Sequence, residues 1–224
     1  MSDTGYGFQN PYDSSSDELG TAFMIRRMLA NVDTVKIVQV VAVKPGSGSP
    51  PIAGTVDVQI LVNQIDGATP PNSTPAGKVY GLPYARIRFG VWEIVGDPAI
   101  NDIGIALCSD RDISTVKNTK AQANPASLRQ HDIADGLFLG GCLNGAPSAY
   151  LWLKTDGTFK ISDKTGNVIE TSTSGITMTP VGGPLTVNGA IVATGNITGN
   201  GIDMDNHVHS GVQSGSDNTG PPTG

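Results

Sequence analysis

From Gly136 onward the chain is cut into short strand-like pieces whose core no single chain closes, and this restricts its possible architectures more than any other feature. LeuPheLeuGlyGly at 137–141, TyrLeuTrpLeu at 150–153, PheLysIle at 159–161, ValIleGlu at 168–170 and GlyIleThrMetThr at 175–179 are spaced by Gly, Asn and Asp turns. A longer run from Leu185 to Ile202 is punctuated at Gly189, Gly195, Gly199 and Gly201. Each piece alternates apolar residues with Thr, Ser, Lys or Asn, so one face is dry and the other wet. No long strand or helix follows to cover the dry face. The expected solution is for copies to wrap around one another as a β-helical prism over residues 149–203, each covering the others. Fully stretched, that stretch reaches roughly 180 Å at most, and wrapping shortens it. The expectation is a slender rod.

Immediately after it comes Asp205-Asn206-His207-Val208-His209-Ser210-Gly211, with two of the chain's three histidines one residue apart. In an extended segment His207 and His209 project to the same side. Two imidazoles are too few to close a structural metal site, but three chains meeting on a threefold axis supply six. Six nitrogens make an octahedron, which favours Fe(II), or Ni or Co, over zinc with its tetrahedral structural sites. The other reading is that both histidines are exposed polar residues of a chain end.

Upstream, Ser15-Ser16-Asp17-Glu18 reads as a capping box, with Ser15 as the cap. A helix follows, with Ala22, Ile25, Leu29 and Val32 on one stripe, packing either on its own domain or against a neighbouring subunit. From Val35 the period changes to two. Strands are expected at Val35 to Lys44, Gly54 to Asn63, Val79 to Leu82, Ile87 to Ile94 and Asp102 to Cys108. Five short strands with no strong intervening helix fit a small Greek-key barrel of the OB type. Many OB barrels bind oligonucleotides through aromatic platforms and a basic groove. Here Tyr80, Tyr84, Phe89 and Trp92 are present, but the net charge is −6 and no basic cluster occurs. Nucleic acid is therefore not an expected partner, and the barrel reads as a docking collar.

Asp110-Arg111-Asp112 is expected to form a local ion pair at the end of that region. Residues 116–148 read as a connector, with a short helix near Ala126 to His131 and His131 as a structural residue. Cys108 and Cys142 sit in apolar contexts without metal-type spacing and are expected to be buried free thiols. The opening residues carry no basic and apolar leader pattern, and the longest apolar run is too short to span a bilayer. Synthesis and assembly in a cytoplasm are the expectation.

The ending GlyAsnGlyIleAspMetAspAsnHisValHisSerGly, with SerGlySerAspAsnThrGlyProPro behind it, resembles the tips of central spike proteins of contractile phage tails, the baseplate assembly protein V and membrane-piercing spike group. ValGlyAspPro at 95–98 and SerAspArgAspIleSer at 109–114 are similar to the barrel of that group. The resemblance implies a homotrimer with an N-terminal arm and helix (1–34), an OB-fold barrel (35–115), a connector (116–148), a triple-stranded β-helix (149–203) and a metal-binding apex (204–224). It implies one Fe(II) per trimer, ahead of Ni, Co or Zn, with His207 and His209 as each chain's ligands. It also implies a virion protein at the tip of the tail baseplate, joined through its barrel to tail hub proteins and in transient contact with the bacterial outer membrane during viral entry. No catalytic residue is expected, since the carboxylates are scattered and no inserted domain separates barrel from rod. Two other readings fit a β-rich trimer: a receptor-binding tail fibre or adhesin, and the tip protein of a phage-tail-like secretion system.

Overall fold

The computed structural model of the chain describes residues 15–29, 32–65, 72–205, 207 and 215. The chain divides into two compact units, Met1–Ala146 and Pro147–Gly224, and both are mainly β.

Unit 1 begins with α1 (Asp17–Leu29). Its first turn is acidic and its last carries Arg26 and Arg27, the arrangement that opposes the helix dipole. The cap is Ser16, whose Oγ accepts from the Leu19 N–H at 3.3 Å, one residue later than the sequence reading placed it. No side chain of α1 is buried.

The strands of this unit are β1 (Val35–Lys44), β2 (Thr55–Ile60), β3 (Gln64–Ile65), β4 (Ser73–Thr74), β5 (Lys78–Pro83), β6 (Arg88–Phe89), β7 (Trp92–Glu93), β8 (Ile103–Leu107) and, after α2 (Ser114–Thr119) and a 3₁₀ turn at Ile133–Asp135, β9 (Leu137–Gly140). Five of them form one antiparallel sheet in the order β5-β2-β1-β8-β9. Its two edges touch at a single parallel bridge between Tyr84 and Phe138, where the Ala85 N–H donates to the Phe138 carbonyl at 2.9 Å. Among the described residues no continuous ladder closes the sheet.

β-Branched residues dominate β1 and β2 and pack well on a pleated surface, so Val38, Val40, Val56 and Val58 form the centre of the core, with Leu82, Tyr84, Ala106 and Phe138. The β1–β2 register shifts between Val40 and Ala42, and the β2–β5 register between Val56 and Val58, irregularities that bend a sheet on itself. The second irregularity is filled by Asp57. Its carboxylate accepts from the Gly81 N–H at 2.8 Å and from Lys44 Nζ at 3.0 and 3.2 Å. The Gly81 bond, aided by Lys44, holds Asp57 below the usual carboxylate range although burial opposes it.

Three readings from the sequence need correction. Ile87 to Ile94 is a tight hairpin of β6 and β7 and does not join the main sheet. The fifth strand is β9, inside the stretch taken as a connector, where Leu137 to Gly140 pair with Leu107 to Gly104. The helix near residues 126–131 is also displaced: the helical turns lie at Ser114–Thr119 and Ile133–Asp135.

Unit 2 contains a four-stranded antiparallel meander of β10 (Tyr150–Leu153), β11 (Phe159–Ser162), β12 (Val168–Ser172) and β13 (Gly175–Thr179), then a small hairpin of β14 (Thr198–Gly199) and β15 (Ile202–Asp203). Pairing sets Leu151, Ile161, Ile169 and Met178 in one row across the meander, with Leu153 beside Phe159 on the same face. That row is exposed in the chain, and a groove of about 350 Å³ opens over it, edged by Pro180, Pro184 and Leu185. On the opposite face Glu170 pairs with Lys154 at 2.5 Å and Lys160 at 3.6 Å. Residues 180–197 form no strand in the chain, although Val187, Ile191, Val192 and Ile197 alternate with small residues there.

Candidate metal-binding apex

The segment leading to the histidines is shaped by a two-residue turn. Asn200 and Gly201 both have positive φ, 48° and 80°, the backbone of a type I′ turn, whose twist matches that of flanking strands. Asn and Gly tolerate this region better than other residues. The turn pairs Gly199 with Ile202 and Thr198 with Asp203, and the Met204 N–H donates to the Ile197 carbonyl at 2.9 Å. The Asp203 carboxylate then accepts from the Asp205 N–H at 2.9 Å and bends the chain out of the hairpin.

His207 follows directly, with Nδ1 3.1 Å from the Met204 carbonyl oxygen. A carbonyl only accepts, so a hydrogen bond here has Nδ1–H as its donor, and in the neutral ring the lone pair is then on Nε2. Metal-ligating histidines are commonly fixed in this way, one ring nitrogen donating to a backbone carbonyl while the other binds the ion. Of the two residues singled out in the sequence, His207 is thus held by the hairpin, whereas His209 lies outside the described residues. No group of three or more His, Cys, Asp or Glu side chains is gathered among the described residues, so any ion held by His207 needs donors from elsewhere.

Residues 201–223 match the GpV Apex motif. The match supports the phage central-spike family and marks this stretch as the apex of a spike protein. In this family the GpV Apex motif is the metal-binding tip of the spike. The motif starts at Gly201, the second turn residue, so the hairpin of β14 and β15 runs directly into it. A spike apex is a component of a virion tail. No curated protein matches the chain.

The other acidic and histidine positions are engaged elsewhere. Asp110 and Asp112 do not pair locally with Arg111 as expected. His131 Nε2 stands 3.3 Å from Asp110, and Arg129 bridges Asp112 at 3.4 Å and Asp135 at 3.0 Å. Hydrogen bonds from Ser114 and Ser127 hold Asp112 far below the usual carboxylate range. Asp112 and Asp135 are buried, so Arg129 serves to neutralise them and ties the 127–135 segment to the stretch after β8. His131, expected to be structural, has that ion-pair geometry and a φ of +49°. Cys108 and Cys142 are free and half-buried; burial first, then nearby acidic groups, push the Cys108 thiol up.

The sequence reading passed over two contributors to the apex. Asn200-Gly201 between apolar positions is the strongest short hairpin signal a sequence carries, and it was legible. The Met204 carbonyl is a backbone group and leaves no signature in residue identity.

Proposed function

We propose that three copies of this chain form the central spike of a contractile phage tail baseplate and puncture the bacterial outer membrane during infection. The observation that carries the reading is the seating of His207, Nδ1 on the Met204 carbonyl, within the GpV Apex motif. His207 and His209 of each copy would hold one ion, six imidazole nitrogens in all; that donor number favours Fe(II), Ni or Co over Zn, and the resemblance to the spike group puts Fe(II) first. When bound, the ion cross-links three chain ends that would otherwise fray. Structural metals in small peptides contribute on the order of 10 to 16 kcal/mol, which sets the scale for such a clamp.

The exposed row of Leu151, Ile161, Ile169 and Met178, with the strandless segment behind it, supports a rod completed by other copies as a triple-stranded β-helix. For unit 1 the reading is an OB-type barrel. It is supported by the order β5-β2-β1-β8-β9, by the two register irregularities, and by the Tyr84–Phe138 bridge between the edges. The barrel receives tail hub proteins, and the whole works mechanically, without turnover.

The test is elemental analysis of the purified protein together with its native mass. The expected result is one ion per three chains, lost when His207→Ala and His209→Ala are combined while the trimer persists. Undiminished metal in that double variant contradicts the ligand assignment, and a monomer in native mass contradicts the spike.

A further inference from the structure

Among the described residues of unit 1, the hairpin of β6 and β7 carries a strongly exposed apolar tip. Phe89 is 70%, Val91 93% and Trp92 78% exposed, with Ile87 and Ile94 more than half exposed at the base. A loop tip normally carries small polar residues, and this one carries two aromatic rings in a chain that is only 5% aromatic. Together these side chains present on the order of 400 to 500 Å² of apolar surface, the size at which a patch on a monomer marks an interaction site.

The hairpin is also held rigid. Arg86, with a side chain only 3% exposed, donates to the Pro51 carbonyl at 2.6 Å, to Glu93 of β7 at 3.1 Å and to Asp97. Tyr84 Oη donates to the same Asp97 oxygen at 2.6 Å, and the Ile94 N–H closes the base on the Ile87 carbonyl at 3.0 Å. A fixed aromatic tip loses little freedom on binding, which is the property of an interface anchor.

Unit 1 carries a second uncovered apolar face, on α1. Met24, Ile25, Met28 and Leu29 lie three and four residues apart on that helix and are all more than half exposed. Thioether side chains adapt their shape and make favourable contacts with aromatic rings. The two surfaces are complementary in kind, a protruding aromatic tip and a Met-rich helix face. Joined, they bury about 1,000 Å² counting both sides, at the lower limit for an interface that must hold by itself. That area is small for a partner arriving from solution but sufficient for one already tethered, because tethering raises the effective concentration to the millimolar range. A second copy of this chain is tethered in that way when unit 2 assembles.

From this we infer that the tip formed by Phe89, Val91 and Trp92 seats against α1 of a neighbouring copy, forming a head-to-tail contact that closes into a ring at the barrel end. The contact rests on the trimeric reading above and adds an interface remote from the apex.

Trp92 is one of two tryptophans, so full-length Trp152→Phe protein reports on it alone. In the assembled particle the contact shields Trp92, giving blue-shifted emission and acrylamide quenching several-fold weaker than for free tryptophan. Independently, copies carrying Met28→Cys are co-expressed with copies carrying Val91→Cys, all in a Cys108→Ser, Cys142→Ser background. The expected result is a disulfide-linked pair that forms only when both kinds are present. A native trimer in which Trp92 quenches freely, or in which no such link forms under oxidation, overturns the contact while leaving the spike reading intact. A monomeric native mass overturns both.

Discussion

The ring of Phe138 fills the space that a side chain on Gly104 would occupy: a Cβ there would stand 2.5 Å from Phe138 Cε2 and 2.6 Å from the Leu139 carbonyl oxygen. Gly104 and Phe138 lie on adjacent strands, and Phe138 also bridges to Tyr84 on the far edge. The substitution Gly104→Ala is therefore expected to overpack unit 1 by about 1 to 3 kcal/mol. Phe138→Ala should cost about 3 to 5 kcal/mol through the cavity it leaves. Combining Gly104→Ala with Phe138→Leu should recover only part of the Gly104→Ala loss, because the Leu139 carbonyl still clashes. Urea unfolding followed by circular dichroism measures all three.

The open face of the meander predicts a self-association phenotype. Ile161 and Ile169 are directly paired in the centre of the exposed row. A charge at either, as in Ile161→Asp or Ile169→Lys, should prevent the copies from covering one another, and light scattering coupled to size-exclusion chromatography should show loss of the trimer. The same charge placed at Thr177, whose partner Glu170 lies on the opposite face, should leave the trimer mass unchanged.

Acid should loosen unit 2. Four hydrogen-bond donors converge on Asp163: the N–H groups of Thr165 and Asn167, the Thr165 hydroxyl and the Asn167 amide. Led by the Asn167 amide and then Thr165, they hold the Asp163 carboxyl at about 2, against 3.8 for an unperturbed group. A depressed folded-state value means the contribution is complete above about pH 4 and is lost as pH falls toward about 2. Glu170, lowered chiefly by Lys154, acts in the same direction. Thermal midpoints measured between pH 5 and pH 2, a range set by these values, should fall, and Asp163→Asn should flatten part of that slope.

The apex should depend on its turn as well as on its ligands. Gly201 has a φ of +80°, so Gly201→Val places a β-branched residue in the left-handed region and should cost about 1 to 2 kcal/mol locally. The expected outcome is reduced metal content by elemental analysis in a particle whose native mass is unchanged. Metal retained at the wild-type ratio would show that β14 and β15 do not position His207.

What the sequence revealed of this molecule, and what it hid, follows from the range of the interactions involved. β1 was legible to the residue because Val35 to Lys44 is a long β-branched run whose conformation is favoured locally. β9 was read as a strand piece at 137–141, but its place as the fifth strand of the first sheet was not, because that pairing comes from β8, some thirty residues earlier, and from Tyr84 beyond that. The Ile87 to Ile94 stretch has the composition of a sheet strand, but positive φ at Gly90 folds it back on itself. At the apex, the paired histidines and their spacing could be read directly, while the carbonyl that orients His207 depends on the turn geometry before it. The partners of Asp112 and Asp135 were hidden because Arg129 reaches both from a segment with no periodic pattern.

The uncovered row from Leu151 to Met178 also bears on biogenesis. On the trimeric reading proposed above, a nascent chain leaves the ribosome with a greasy strip that only its siblings would mask, so its solubility would be a collective property. Copies synthesised close together and at the same moment would then meet before they meet a chaperone or an aggregate. Sparse or staggered synthesis would appear first as insoluble protein, well before any defect at the apex could be noticed.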